Sequence, residues 1–229
     1  MEFTPIARIQ SDFSEKFGIP RQSGLVEELM ATVVFEPGYR DLSALRGIDG
    51  FSHLWLIWEF SQVRRKGWSP TVRPPRLGGN RRLGVFATRS PFRPNPIGLS
   101  CVRLVEVRQE RELGPVLVVA GADLMDGTPI YDIKPYLPYA DCKPEAVGGF
   151  ASRPKGADLA VDCPWELLQT VPEGKRAALL AVLAQDPRPQ YQDDPGRVYG
   201  MAFAGLEVKF RVDGARLAVE EINSPPGGT

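Results

Sequence analysis

The chain has 229 residues, 43% of them hydrophobic and 24% charged, with 28 basic and 28 acidic side chains; this is enough for one large folded domain or a main domain plus a smaller one. No apolar run approaches the roughly 18 residues that cross a bilayer. Cys101, Cys142 and Cys163 are odd in number and lack a CxxC pair, which excludes a disulfide framework and a cysteine zinc site, and the single histidine, His53, excludes a two-histidine metal site within one chain.

The N-terminus, MEFTPIARIQSDFSEKF, lacks the basic-then-apolar order of a signal peptide, so the expected address is the cytoplasm, with reduced, structural thiols. Strand-like runs follow at Phe3–Gln10, Ala31–Phe35, His53–Phe60, Arg82–Thr88, Gly98–Arg108 and Pro115–Ala122. Short strands separated by Gly and Pro predict a mainly β fold, a single antiparallel sheet curled into a barrel. One short helix is predicted over Asp41–Arg46, where Asp41 caps the turn and Gly47 ends it. His53, in the aromatic stretch FSHLWLIWEF, reads as a hydrogen-bonded core residue. The prolines and glycines of Trp68–Gly79, WSPTVRPPRLGG, forbid a central strand or a long helix.

Beyond Lys143 the pattern changes to Gly, Pro and small residues, placing a boundary near residue 145 between a barrel domain (1–145) and a small α+β C-terminal domain (146–223). There, a helical leucine pattern over Pro164–Ala184 is interrupted around Pro172 and Gly174. Strands at Val198–Val212 and Ala215–Ile222 flank Asp213-Gly214, a strong hairpin signal. The tail, 224–229, reads as disordered.

Zero net charge hides an asymmetry. From Arg64 to Arg93 there are nine basic residues and no Asp or Glu, while the remaining 199 residues carry 19 basic and 28 acidic side chains. One cationic surface on an otherwise acidic protein suits a polyanion that docks in one orientation; the alternative is a solvated Arg-rich loop.

Two segments carry chemistry. In Gly84–Ser100, GVFATRSPFRPNPIGLS, three prolines hold Arg89, Arg93 and Asn95 on a connection with little freedom, either a site or a stiffened corner. In Gly121–Asp141, GADLMDGTPIYDIKPYLPYAD, Asp126-Gly127-Thr128-Pro129 is a turn signature, and Asp126 with Asp132 offers an acid/base pair in principle.

The two together resemble the paired signature of the TrmO (TsaA/YaeB-like) family, with further agreement from EKFGIPRQSGL, FSHLW, WSPTVRPPRLGGN and AQDPRPQY; residues 149–162 match least. The resemblance implies a barrel that binds S-adenosyl-L-methionine, usually as a homodimer. It implies transfer of the methyl group to N6 of threonylcarbamoyladenosine beside the tRNA anticodon. Carried over by position, the cofactor site draws on Pro20, Arg21, Gln22, Ser61, Gln62, Arg89, Leu99, Asp123, Leu124 and Met125. Ser61 stands where similar sequences have His. Asp126 is the candidate proton acceptor, and Arg64, Arg65, Arg81, Arg82, Arg93, Asn95, Arg188 and Tyr191 are the candidates for tRNA. No strand leads into GxGxxG, so the commoner Rossmann-type cofactor loop has no candidate. Two alternatives stay open: a methyltransferase of this fold with another substrate, and a non-catalytic RNA-binding barrel.

Overall fold

A computed structural model describes residues 3–63, 68–77, 81–152, 158–189, 192 and 194–224. Its first part is built from β1 (Ala7–Gln10), β2 (Met30–Phe35), β3 (His53–Glu59), the two-residue β4 (Thr71–Val72) and β5 (Leu83–Gly84), then β6 (Ile97–Glu110), β7 (Gly114–Ala120) and β8 (Pro129–Pro135). Six of these form one antiparallel sheet in the order β1-β2-β7-β6-β3-β8, and β8 pairs back onto β1 through Ala7↔Ile130 and Arg8↔Pro129. Every strand of this sheet thus has a neighbour on both sides, which leaves the sheet no edge strand for another chain to extend.

Alternation explains which side chains go inside. In β3 the residues Leu54, Leu56 and Trp58 are buried and their neighbours half-buried, and these three meet Ile9, Val33, Val102, Leu117, Val119 and Ile130 in one core. β4 and β5 form a separate hairpin, and the strand expected over Arg82–Thr88 reduces to Leu83–Gly84 before a 3-10 turn at Val85–Ala87. Only Val85 of that run is buried, so it has no apolar face to lay on a sheet. β8 is a strand in a stretch whose sequence reads as turns, because prolines stand at both of its ends. The predicted Asp41 cap is present: its carboxylate accepts from the Ser43 amide at 2.8 Å, ahead of a 3-10 turn at Leu42–Leu45.

The first part ends with α1 (Pro138–Asp141), and the second runs through β9 (Ala160–Asp162), α2 (Trp165–Leu168), α3 (Glu173–Ala184), β10 (Tyr199–Phe203), β11 (Leu206–Asp213) and β12 (Arg216–Asn223). The predicted interruption falls between α2 and α3, with Pro172 at the N-cap of α3, and the Asp213-Gly214 hairpin joins β11 to β12. The single strand expected over Val198–Val212 is two, because Ala204 and Gly205, at φ 50° and 77°, form a tight two-residue hairpin loop. β9 adds to β12 in parallel, completing the sheet order β10-β11-β12-β9.

The core under this second sheet contains Leu179, Leu183, Phe203, Phe210 and Leu217, and also Phe13, Val26 and Leu29 from the segment between β1 and β2. Phe17 from the same segment stacks on Phe210 at 6.4 Å. Lys175 pairs with Asp12 at 2.7 Å, and the Ala204 amide donates to the Asp12 carbonyl at 2.8 Å. The β1–β2 connection is therefore packed into the C-terminal core and not only into the first sheet.

Candidate active site

The middle of that connection, Pro20–Gly24, meets the proline-stiffened loop and the end of β7. The Gly24 amide donates to the Gly121 carbonyl at 2.8 Å, and the Cys101 amide donates to Ser23 Oγ at 3.1 Å. Arg89 Nη1 donates to Gln22 Oε1, and Gln22 Nε2 donates to the Arg21 carbonyl. Arg21 Nη2 in turn donates to the Arg188 carbonyl at 3.0 Å.

Beneath this turn lies Asp123. Its Oδ1 accepts from Ser100 Oγ at 2.5 Å, and Ser100 Oγ accepts from Trp58 Nε1 at 2.9 Å. Trp58 and Ser100 are both buried. Gly98, the register partner of Trp58, is what makes room: a Cβ there would lie 2.2 Å from the indole. Neither Trp58 nor Ser100 stands among the residues that the sequence marks for a role. The available signal is a serine on the inward phase of an apolar strand, since residues 98, 100 and 102 of IGLSCV all point inward.

Burial pushes the Asp123 carboxyl above the ordinary carboxylate value, while the Ser100 hydroxyl, the Ser23 amide and the positive field of Arg89 pull it back down. A carboxyl whose folded pKa is raised stays protonated when the unfolded chain ionises, so its contribution to stability is lost as pH rises from about 3.8 through the folded value. Asp123→Asn removes this dependence. Urea midpoints measured between pH 3.5 and 7 should show the wild type losing stability relative to the variant as pH rises through this window; a constant difference would rule out a raised pKa.

The other candidate cofactor residues divide. Pro20 is buried, and Leu99 is 56% exposed on the outward phase of β6. Leu124 is buried and its carbonyl accepts from Ser11 Oγ at 2.9 Å; the Met125 carbonyl accepts from Thr128 Oγ1 at 2.6 Å. Asp126 is exposed and its Oδ1 takes the Ser11 amide at 3.0 Å, tying its turn to the end of β1. Ser61 and Gln62 lie on an exposed turn after β3, which the Phe60 amide anchors to the Pro96 carbonyl at 2.8 Å. No hydrogen bond among the described residues joins their side chains to the Asp123 cluster.

Of the residues assigned to tRNA, Arg64, Arg65 and Tyr191 lie outside the described residues. Arg81, Arg82 and Asn95 are exposed. Arg93 curls back onto its own loop, its Nη1 donating to the Thr88 carbonyl at 2.7 Å. Arg188 is a correction to the expected phosphate ligand: its side chain is only 9% exposed and pairs with Asp186 through Nε at 2.9 Å. A buried, paired guanidinium organises the turn that receives Arg21 and does not face a nucleic-acid backbone. Burial also raises the thiol pKa of Cys101 and of Cys163, consistent with structural thiols. No group of three His, Cys, Asp or Glu side chains able to hold a metal occurs among the described residues, and no helix among them is long and apolar enough to cross a membrane.

The cluster suits a small zwitterion. It brings together the Arg89 guanidinium, the Gln22 amide and the half-buried Asp123 carboxyl.

Two family models match the chain: the tRNA-methyltransferase O N-terminal domain over residues 8–142 and the TrmO C-terminal domain over 162–225. A tRNA (adenine(37)-N6)-methyltransferase of Escherichia coli (strain K12) is 44% identical over 226 residues, covering 95% of this chain and 96% of that protein. One of Eikenella corrodens is 47% identical over 180 residues, covering 77% and 99%. The crystal structure of TrmO from Pseudomonas aeruginosa superposes with a TM-score of 0.76 at 34% identity, covering 98% of this chain and 99% of that one.

Proposed function

Since the chain belongs to the tRNA-methyltransferase O family across both of that family's domains, we infer that it is an S-adenosylmethionine-dependent tRNA (adenine-N6)-methyltransferase acting on threonylcarbamoyladenosine beside the anticodon. The observation that carries this reading is the convergence of Gln22, Arg89 and Asp123 on one turn, a set that matches the charges of the cofactor's amino-acid end. The cofactor supplies a methyl group already activated on a sulfonium, so the protein's task is placement and exclusion of water. Arg89 is assigned to the cofactor's carboxylate, with Gln22 steering its guanidinium. Asp123, oriented by the Trp58–Ser100 pair, faces the cationic part. N6 must give up a proton; Asp126 is the assigned acceptor, its carboxylate exposed and held at one oxygen by the Ser11 amide.

Within this reading the self-closed six-stranded sheet is a barrel carrying the cofactor site, residues 1–145 form the catalytic unit, and 146–223 form a smaller unit that addresses tRNA. The outward Ile97 and Leu99 of β6 supply apolar surface for a homodimer, and the cytoplasm is where the substrate is found.

Mass analysis of tRNA nucleosides after incubation with purified protein and S-adenosylmethionine tests the function. Methylated threonylcarbamoyladenosine is the expected product. Methylation of another acceptor would select the different-substrate reading, and tRNA binding without product would select the non-catalytic one. Binding should also weaken with salt, and replacing Arg64, Arg65, Arg81 and Arg82 with Ser should flatten the log–log slope by roughly one for each phosphate that is no longer neutralised. An unchanged slope would make the Arg-rich stretch a solvated surface.

A further inference from the structure

We propose that Trp68 and Phe86 form an aromatic platform on which an unpaired base of the tRNA loop stacks; this rests on the tRNA reading above. Trp68 precedes β4 and Phe86 follows β5, so the Thr71↔Gly84 and Val72↔Leu83 pairs bring both rings to the same end of the hairpin. The Val85 amide locks that end by donating to the Pro70 carbonyl at 2.9 Å. The ring centroids are 6.1 Å apart with a 31° tilt. Trp68 is 53% and Phe86 72% exposed, a costly display of apolar surface unless a ligand covers it.

The setting selects the occupant. Residues 68–93 contain six arginines and no acidic residue, and Arg73, Arg81 and Arg82 are exposed. A second copy of this chain would bring like charges together there, whereas a phosphate backbone is attracted. Aromatic rings within a cationic surface are how single-stranded nucleic acid is held, because an unpaired base has a free π-face and a base inside a duplex does not. Three residues after Phe86, Arg89 reaches Gln22, so the segment that carries the platform is tied to the cofactor turn.

The test compares an anticodon stem-loop RNA with a loop-free duplex of equal length, by fluorescence anisotropy, for wild type, Trp68→Ala/Phe86→Ala and Trp68→Phe/Phe86→Tyr. The double alanine variant should lose roughly 5- to 150-fold in affinity for the stem-loop, little for the duplex, and nothing in calorimetric affinity for S-adenosylmethionine. The aromatic-for-aromatic variant should stay near wild type. The single Phe86→Ala, at the more exposed ring, repeats the test with little risk to the fold. Stem-loop binding equal to wild type, or an equal loss on both RNAs, overturns the platform. So does a wild-type dimer that the alanine variant turns to monomer in sedimentation, which would make the rings an interface between copies. A wild type that methylates no tRNA and does not prefer the stem-loop overturns the tRNA reading as well.

Discussion

Arg89→Ala is expected to weaken S-adenosylmethionine binding by about 1.5–3 kcal/mol, roughly 10- to 150-fold, with a loss of methylation at least as large. Two effects add. The charged hydrogen bond to the cofactor's carboxylate disappears, and Gln22 loses the donor that holds its amide, so the turn carrying Arg21 and Gln22 is no longer tied to the proline-stiffened loop. Asp123 also loses the positive field that opposes its burial. Calorimetry reads the affinity directly. Arg89→Lys should recover only part of the loss, because an ammonium cannot hold Gln22 and a carboxylate with a planar fork. Unchanged affinity in the alanine variant would remove Arg89 from the site.

Phe210→Ala should produce the largest loss of stability, about 3–5 kcal/mol. Phe210 is fully buried on β11, between Tyr199 at 5.7 Å and Phe17 at 6.4 Å, both nearly parallel to it. Phe17 stands three residues before Pro20, so the cavity removes the packing of the chain segment that leads into the cofactor turn. The variant is therefore expected to bind S-adenosylmethionine less tightly although residue 210 has no assigned role in holding the cofactor. Denaturant unfolding and calorimetry on the same preparation check both effects. A folded variant with lowered stability and wild-type affinity would show that the first sheet alone holds the turn.

Such coupling between the two cores is not legible in the sequence. A boundary near residue 145 follows from the change in composition, and strands, turns and the break between α2 and α3 follow from periodicity, proline and glycine. Phe13, Val26 and Leu29 carry no mark of which core they join, because burial partners depend on tertiary geometry that local pattern does not encode. The same holds for Arg188. Proline-flanked and followed by Tyr, it reads as a surface ligand, yet Asp186 two residues earlier neutralises it inside the fold. Gln22 and Asp123 are legible only through resemblance, and Arg89, which the proline-stiffened loop singles out, gains its cofactor role only there; their convergence depends on β1, β6 and β7 being neighbours or near neighbours in the sheet. The Trp58–Ser100 support of Asp123 needs the β3–β6 register.

The packing of the β1–β2 connection into the second core also sets an order for the chain's folding during synthesis. Phe13, Val26 and Leu29 leave the ribosome before the strands β3, β6, β7 and β8, whereas Phe203, Phe210 and Leu217, against which they pack, follow all six strands of the first sheet. Until then the Pro20–Gln22 turn has the first sheet on one side and water on the other. A nascent chain stalled before β10 holds all six strands of the first sheet and lacks the β10–β12 residues that complete the core around Phe13, Val26 and Leu29.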